Sequence, residues 1–175
     1  MKKGLFACII FFWATNLNAQ LSLMKLVGKN SGDYQFGYGG YLKFAIAATE
    51  AADITLESGV NIFMVKDDES KGMILVPLKL GYRQTLNGTG IGFYVEPQVG
   101  YNLYGINSTT DDYGYPIEKK FKGIIATAGF GYLAERSGWF QMDLGLMFES
   151  AFYSGGPVHY VGLRLTHNIS FGRRE

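Results

Sequence analysis

Few residues of this chain have the types and the spacing that catalysis requires. The two histidines are His159 and His167, and the segment His167-Asn168-Ile169-Ser170 places a serine near the second one. A serine paired with a histidine, which a carboxylate orients, is the arrangement that performs acyl transfer. Positions 167 and 170 of a strand, however, face opposite sides. We therefore predict no catalytic residue and interpret both histidines as amphipathic side chains at a membrane interface.

Two acidic clusters carry oxygen ligands of the kind that divalent cations prefer. They are Asp67-Asp68-Glu69 and Asp111-Asp112. A calcium loop draws its oxygens from spaced positions, as in the pattern D-x-D-x-D-G, and neither cluster has that spacing. Charged runs of this kind are typical of solvated loop tips. The sequence therefore predicts no metal site and no cofactor.

Most of the chain alternates apolar and polar side chains. In residues 90–104 one face is apolar: Ile91, Phe93, Val95, Pro97, Val99, Tyr101 and Leu103. The same period recurs in residues 34–46, 53–64, 74–83, 123–132, 140–149 and 160–171, and weakly, with unclear phase, in 21–27. A period of two indicates strands, and a tilted strand crosses a membrane with about 9–11 residues. We predict an all-β fold, an eight-stranded antiparallel up-and-down transmembrane β-barrel.

The polar faces of these segments carry charges of both signs. In an eight-stranded barrel the interior is just filled by side chains, so such charges are expected to pair inside it. We call this set the lumen network: Lys43, Glu57, Lys79, Arg83, Glu96, Asp143, Glu149 and Arg164. The same faces are rich in glycine, which suits a narrow interior better than a sheet exposed to water.

The apolar faces contain no Asp, Glu, Lys or Arg. This favours contact with lipid, because a Lys or Arg at the bilayer midplane costs about 2–4 kcal/mol. Aromatic residues near the ends of these faces are predicted to form interfacial girdles: Tyr34, Phe36, Tyr82, Tyr101, Tyr132, Phe140, Phe148 and Phe171. Alternation alone leaves a second architecture open, a soluble periplasmic lipocalin-like barrel that binds an apolar ligand inside.

The connections between the predicted strands alternate in length. Residues 28–33, 66–71, 105–118 and 151–157 form longer connections, and 49–51, 87–88 and 135–138 form tight ones. Long loops on one side and short turns on the other are typical of outer-membrane barrels, and an even strand number then places both termini in the periplasm. The 105–118 loop is the candidate recognition loop, with Asp111, Asp112, Tyr113 and Tyr115.

The N-terminus has the pattern of a secretory signal peptide. Lys2 and Lys3 precede an apolar run, and a small, polar cleavage region follows it, so residues 1–19 are predicted to be removed and 20–175 to form the barrel domain. The single cysteine, Cys8, lies within the signal, which excludes disulfides and thiol catalysis in the mature chain. The formal charge of +1 and the absence of a basic patch argue against a nucleic-acid partner.

One hairpin resembles a known family. Residues 74–83, ILVPLKLGYR, and residues 92–101, GFYVEPQVGY, resemble the corresponding hairpin of the PorT-like outer-membrane β-barrel family. The resemblance implies a small barrel of the OmpX or OmpA type in the outer membrane of a Gram-negative bacterium. It implies no functional residue.

These patterns together predict a non-enzymatic protein of the cell envelope with a structural or surface-interaction role. Its expected partners are outer-membrane lipid and lipopolysaccharide, the outer-membrane insertion machinery, and an unknown extracellular or periplasmic molecule that binds the loops. A monomer is expected. The alternatives are a lipid A-modifying barrel enzyme and the soluble lipocalin-like barrel, and sequence patterns alone do not choose a role among them.

Overall fold

The computed structural model describes residues 16–28, 31–66, 72–110, 116–135, 140–154 and 156–169. These residues form eight strands: β1 (Asn16–Val27), β2 (Tyr34–Ala47), β3 (Ala52–Val65), β4 (Gly72–Thr85), β5 (Gly92–Thr110), β6 (Pro116–Glu135), β7 (Phe140–Tyr153) and β8 (Gly156–Ile169). Each strand pairs antiparallel with its neighbours in sequence, and β1 pairs with β8 to close the barrel. The predicted eight-stranded antiparallel up-and-down barrel is confirmed.

Side chains alternate between the lumen and the outer surface as the period of two predicts. On β4, for example, Lys79 is buried whereas Leu78 and Leu80 are exposed. The phase of β1, which the sequence left unclear, puts Gln20, Ser22 and Met24 inside and Leu21 and Leu23 outside. No helix in the described residues is long and apolar enough to span a bilayer.

The alternation breaks at two irregularities, and the predictions fail there. Tyr34, expected in an outer girdle, is only 8% exposed, and the β2–β3 register shifts between it and Gly37. Tyr104 follows Leu103 in the alternation of residues 90–104, which puts it on the polar, inward face. It is nevertheless 42% exposed and lies where the β5–β6 register shifts between Asn102 and Gly105. A bulge places an extra residue in one strand and so reverses the facing of the residues beyond it.

The predicted alternation of long and short connections is found only in part, since 28–33 and 66–71 are longer than 48–51 but 86–91 is as long as they are. Most of the predicted 151–157 loop is strand, because β7 continues to Tyr153, which lies opposite Gly156 of β8. Gly156 has φ of 110°, a conformation that glycine adopts without a Cβ clash. Much of the predicted 105–118 loop is strand, since β5 continues to Thr110 and β6 begins at Pro116. Alternating residues in these segments pair across the hairpin, which satisfies backbone groups that a loop would leave to water.

The first strand begins before the predicted mature N-terminus. Asn16 lies opposite Ala45 of β2, and Gln20, the predicted first residue after cleavage, lies opposite Tyr41. The position of cleavage stays a prediction.

Candidate functional site

The eight residues of the lumen network all lie inside the barrel. Each is at most 3% exposed. Among the described residues, the buried charged side chains are four cations, Lys43, Lys79, Arg83 and Arg164, and four carboxylates, Glu57, Glu96, Asp143 and Glu149. Their formal charges therefore balance. Such balance is required, because an unpaired charge in a desolvated interior is strongly unfavourable.

Glu96 on β5 is the residue with the most partners in the lumen network. Its carboxylate oxygens lie 2.5 and 2.6 Å from the Lys43 ammonium and 2.7 Å from Arg164 Nη2. Arg83 Nη2 lies 3.6 Å from it, and the Thr55 hydroxyl donates at 2.8 Å. The Gln98 amide also donates to it at 3.2 Å. Both carboxylate oxygens of Glu96 are therefore occupied by neighbours within the barrel.

Two further groups complete the lumen network. Lys79 lies between two carboxylates, 2.7 Å from Glu57 and 2.8 Å from Glu149. Arg83 Nη2 lies 3.0 Å from Asp143, which also accepts a 2.5 Å hydrogen bond from the Tyr94 hydroxyl. The Arg83 guanidinium stacks on the Tyr94 ring, 4.6 Å from its centroid. These contacts join strands on opposite sides of the barrel across its interior.

Neutral side chains extend these contacts, and sequence reasoning did not single them out. The Tyr160 hydroxyl donates to Glu149, Asn61 donates to the Tyr160 hydroxyl at 2.9 Å, and the Tyr41 hydroxyl donates to Asn61. Thr127 donates to Glu149 at 2.9 Å. The one available signal was their phase, since all of them occupy the inward faces of their strands.

Towards the end of the barrel where β1 meets β2 and β7 meets β8, the lumen becomes apolar. We call this cluster the apolar layer: Met24, Leu26, Tyr34, Phe63, Met73, Leu75, Met147 and Tyr160. Phe63 and Tyr160 pack edge to face, with ring centroids 5.3 Å apart. Tyr160 belongs to both regions, because its ring packs in the apolar layer while its hydroxyl reaches Glu149.

Glycines on the polar faces make room for the large lumen side chains. Across β5 to β8, Tyr94, Gly131, Gly145 and Arg164 form one continuous row of paired residues. Tyr94 and Arg164 extend over the two glycines and meet, with Arg164 Nη2 3.1 Å from the Tyr94 hydroxyl. A Cβ added at Gly145 would lie 2.9 Å from that hydroxyl, and one at Gly131 would be closer still. Small side chains here are a packing requirement of the lumen network.

The two histidines lie in different surroundings. Ser150 Oγ lies 2.8 Å from His159 Nδ1, and the His159 ring stacks on Phe148 with centroids 6.0 Å apart. The neighbouring carboxylate, Glu149, points into the lumen, on the other side of the sheet from Ser150. His167 is half-buried, and the serine considered with it, Ser170, lies outside the described residues.

The remaining predicted sites mostly fall outside the described residues. These are the candidate recognition residues Asp111, Asp112, Tyr113 and Tyr115, the acidic cluster 67–69, and Phe171. Within the described part of the chain, no group of three metal-ligating side chains comes together.

The outer surface reverses the chemistry of the lumen. Large apolar residues are exposed on every strand, for example Leu21, Phe36, Leu56, Leu80, Val99, Phe130, Leu146 and Leu163. Aromatic residues group on this surface as well, since Phe93 stacks on Phe130 and packs edge to face against Tyr132. An apolar exterior around a charged interior is the reverse of a water-soluble barrel.

Solved structures with this architecture are small outer-membrane barrels. Ail, the attachment invasion locus protein of Yersinia pestis, aligns with a TM-score of 0.62 and 9% identity over 89% of this chain and 97% of its own. This chain has the fold of the small outer-membrane β-barrels. The N-terminal domain of Pseudomonas aeruginosa OprF (TM-score 0.61, 14% identity) and neisserial surface protein A (0.60, 10%) also share it, over 88% and 90% of this chain and 97% of each of theirs.

Sequence comparison does not assign this chain to a family. No protein-family model matches the chain, and no curated protein matches it significantly. The identities to the solved barrels are too low to carry a function, so the likeness concerns the fold alone.

Proposed function

We propose that this protein is an integral outer-membrane β-barrel with a sealed lumen and a non-enzymatic structural or surface-interaction role. The observation that carries the proposal is the reversed distribution of side chains, with eight charged residues buried inside the described barrel and large apolar residues exposed outside it. In water such a surface would aggregate, whereas in a bilayer it is the surface that lipid solvates. This distribution disfavours a soluble barrel that holds an apolar ligand.

The height of the apolar surface supports the membrane location. On β5 the outward apolar residues extend from Phe93 to Leu103, both exposed. At about 3.3 Å per residue and a tilt of about 40°, this run spans roughly 25 Å along the membrane normal, the height of the apolar band of outer-membrane barrels. Lys122, also outward on β6, is exposed near the hairpin end, where the band is expected to stop.

The filled lumen supports a role that does not involve transport. The lumen network crosses the barrel interior, and the apolar layer closes one end of it. Water and ions would have to break several buried ion pairs to pass, which is strongly unfavourable. The outer surface and the hairpin ends then remain as the sites of function. A monomeric barrel exposes both, and a surface partner or lipopolysaccharide would bind there.

The orientation and the family follow as part of this proposal. We propose that both termini lie in the periplasm, on the side of the insertion machinery, and that residues 105–118 lie outside the cell. The hairpin of β4 and β5 supports assignment to the PorT-like barrels, because it carries the segments ILVPLKLGYR and GFYVEPQVGY.

Fractionation tests the membrane location. We expect the protein in the outer-membrane fraction, resistant to carbonate extraction, with a gel mobility that changes on boiling, because a closed barrel resists detergent until it is heated. Recovery in the soluble periplasm without a mobility change would contradict the proposal.

Conductance tests the sealed lumen. The purified protein in planar bilayers should give no large, stable channels. A double variant, Glu96→Gly with Arg164→Gly, removes two central side chains whose charged groups lie 2.7 Å apart. Its conductance should be higher than that of the unmodified protein if the lumen network blocks the passage of ions. Large stable channels in the unmodified protein would overturn the assignment.

A further inference from the structure

An apolar groove crosses the outer face of the barrel. Its volume is about 530 Å³, and its lining extends over β6, β7, β8 and β1 to Phe36 of β2. Ala128 is the small outward side chain of this lining. It precedes Phe130 on the outer face of β6 and lies opposite Phe148 of β7. Its short side chain beside two rings leaves a depression, whereas Gly129 and Gly162 face the lumen and contribute only backbone to the groove.

A cation lies at the hairpin end of the groove. Lys25 points outward from β1 and lines the groove together with Phe36. Its ammonium donates to the Tyr34 carbonyl at 2.7 Å and lies 5.4 Å from the Phe36 ring centroid. An ammonium has three N–H donors, so two remain for a ligand. Within the described residues Lys25 forms no ion pair, and its position is fixed by contacts that leave its charge available.

His159 provides a second polar group at the same end. On the β1–β8 ladder Lys25 lies opposite Val161, and Val27 lies opposite His159, so Lys25 and His159 are diagonal neighbours on the outer face. Diagonal neighbours of a sheet are roughly 7–8 Å apart, a distance that one phosphate group can bridge. Stacking on Phe148, which lines the groove, and the contact with Ser150 hold the imidazole in place.

We propose that this groove binds a phosphorylated lipid, with an acyl chain along the apolar lining and the phosphate on Lys25 and His159. The charge of the site selects the occupant, because a hydrocarbon groove that ends at an unpaired ammonium fits an amphiphile with an anionic head. The inference rests on the proposed membrane location and names the lipid class that this face of the barrel retains.

The depth of the residues agrees with this orientation of the lipid. Lys25 lies near the end of β1, which stops at Val27, whereas Leu23 and Leu21 precede it on the outer face. A lysine is tolerated near the interface, where it costs about 0–1 kcal/mol, and is unfavourable at the midplane. Lys25 therefore lies at the level of lipid headgroups, and the groove descends from it towards the midplane past Leu23, Leu146 and Leu163.

Lipid retention by the detergent-purified barrel, measured by native mass spectrometry, tests the proposal. The probes are phosphatidylglycerol, phosphatidylcholine and diacylglycerol with identical acyl chains. We expect a one-to-one adduct that is strongest for phosphatidylglycerol and weakest for diacylglycerol, which has no phosphate. Lys25→Gln should weaken the phosphatidylglycerol adduct roughly ten- to hundredfold, the effect of losing a charge-assisted hydrogen bond.

Control variants distinguish a specific lipid site from a general attraction of anionic lipid to exposed lysines. Lys122→Gln removes an exposed lysine that does not line the groove and should leave the adduct unchanged. Ala128→Phe fills the groove and should weaken all three adducts. Val60→Phe, on the exposed face of β3 opposite Gly40, lies away from the groove and should not. Equal losses in Lys25→Gln and Lys122→Gln, or equal retention of all three lipids, would overturn the proposal.

The boiling-dependent gel mobility of each variant is recorded alongside. A barrel that keeps its mobility change and its membrane fractionation but shows no selective adduct refutes the lipid site alone. A protein that fails to enter the membrane refutes the proposed function instead.

Discussion

Glu96 and Phe63 are both fully buried in the lumen of the same barrel, yet their neighbours are of opposite kinds. Glu96 is surrounded by Lys43, Arg164 and Arg83. Phe63 packs in the apolar layer, edge to face against Tyr160. The stability of the charged region depends on specific ion pairs that must all be present. The stability of the apolar layer depends on filled volume, which many apolar side chains can supply.

This difference predicts different responses to mutation. Removing one member of a buried ion pair leaves its partner desolvated and uncompensated, so the loss is large and is recovered when the partner is removed as well. Removing apolar volume leaves a cavity, and the loss scales with the size of the cavity. The lumen network is therefore expected to be the more sensitive region and the more cooperative one.

The largest effect is expected at the centre of the lumen network. Glu96→Leu leaves Lys43 and Arg164 without their closest carboxylate and should lower the free energy of unfolding by about 3–5 kcal/mol. Urea unfolding in lipid vesicles measures it. Asn102→Leu is the matched control, because Asn102 is a neutral buried residue of the same strand whose amide makes no hydrogen bond, and it should change stability by less than about 1 kcal/mol. Equal losses for the two variants would refute the difference between the regions.

Pairwise coupling is expected to be the next largest effect. Arg83→Met and Asp143→Leu each remove one member of an ion pair whose atoms lie 3.0 Å apart. The loss of stability in the double variant should be smaller than the sum of the two single losses, by about 1–3 kcal/mol. Double-mutant cycles from urea unfolding provide the measurement. The control pairs Arg83→Met in the lumen network with Leu26→Ala in the apolar layer. The losses of stability of these two variants should add within about 0.5 kcal/mol. Additivity of the ion pair itself would contradict the proposed pairing.

The row of glycines gives the third prediction. Gly131→Ala places a methyl group against the Tyr94 ring and hydroxyl, which should displace them and lower stability by about 1–3 kcal/mol. Gly40→Ala is the control, because nothing lies within 4 Å of a Cβ added there and the residue faces outward. If both variants unfold at the same urea concentration, the glycines of the lumen are not required for packing.

The smallest effect is expected in the apolar layer. Phe63→Leu keeps an apolar side chain that its neighbours can repack around, so we expect a loss of stability below about 1.5 kcal/mol in the same urea assay. Leu144→Val, on the outer surface, should change stability by less than about 0.5 kcal/mol. A loss at Phe63 as large as that at Glu96 would mean that the apolar layer also depends on specific contacts.

Much of the fold could be predicted from local patterns. The period of two determined which face of β3, β4 and β6 turns inward, and Lys79 beside Leu80 illustrates it. The predictions failed where local pattern and pairing disagree. Tyr34 and Tyr104 follow the alternation in sequence, but register shifts turn each to the other face. Residues 151–153 lie in a segment predicted as a loop from its glycines, yet they pair with 156–158 of β8.

The sequence predicted which residues belong to the candidate site better than it predicted which of them contact each other. The eight charges of the lumen network were identifiable because each occupies the inward phase of its strand. Glu96 and Arg164, by contrast, are 68 positions apart, and their 2.7 Å contact follows only from closure of β8 onto β1. The apolar groove and Lys25 had no signal of their own, because the groove arises from side chains of strands distant in sequence.

The sequence by itself determined the strand period, the inward position of the charges and the apolar exterior, because alternation is a property of neighbouring residues. Only the tertiary structure decided which charges pair, where the lumen changes from ionic to apolar, and which outward side chains leave a groove. These depend on strand register and on barrel closure, which bring residues of distant strands together and are set by the sheet as a whole.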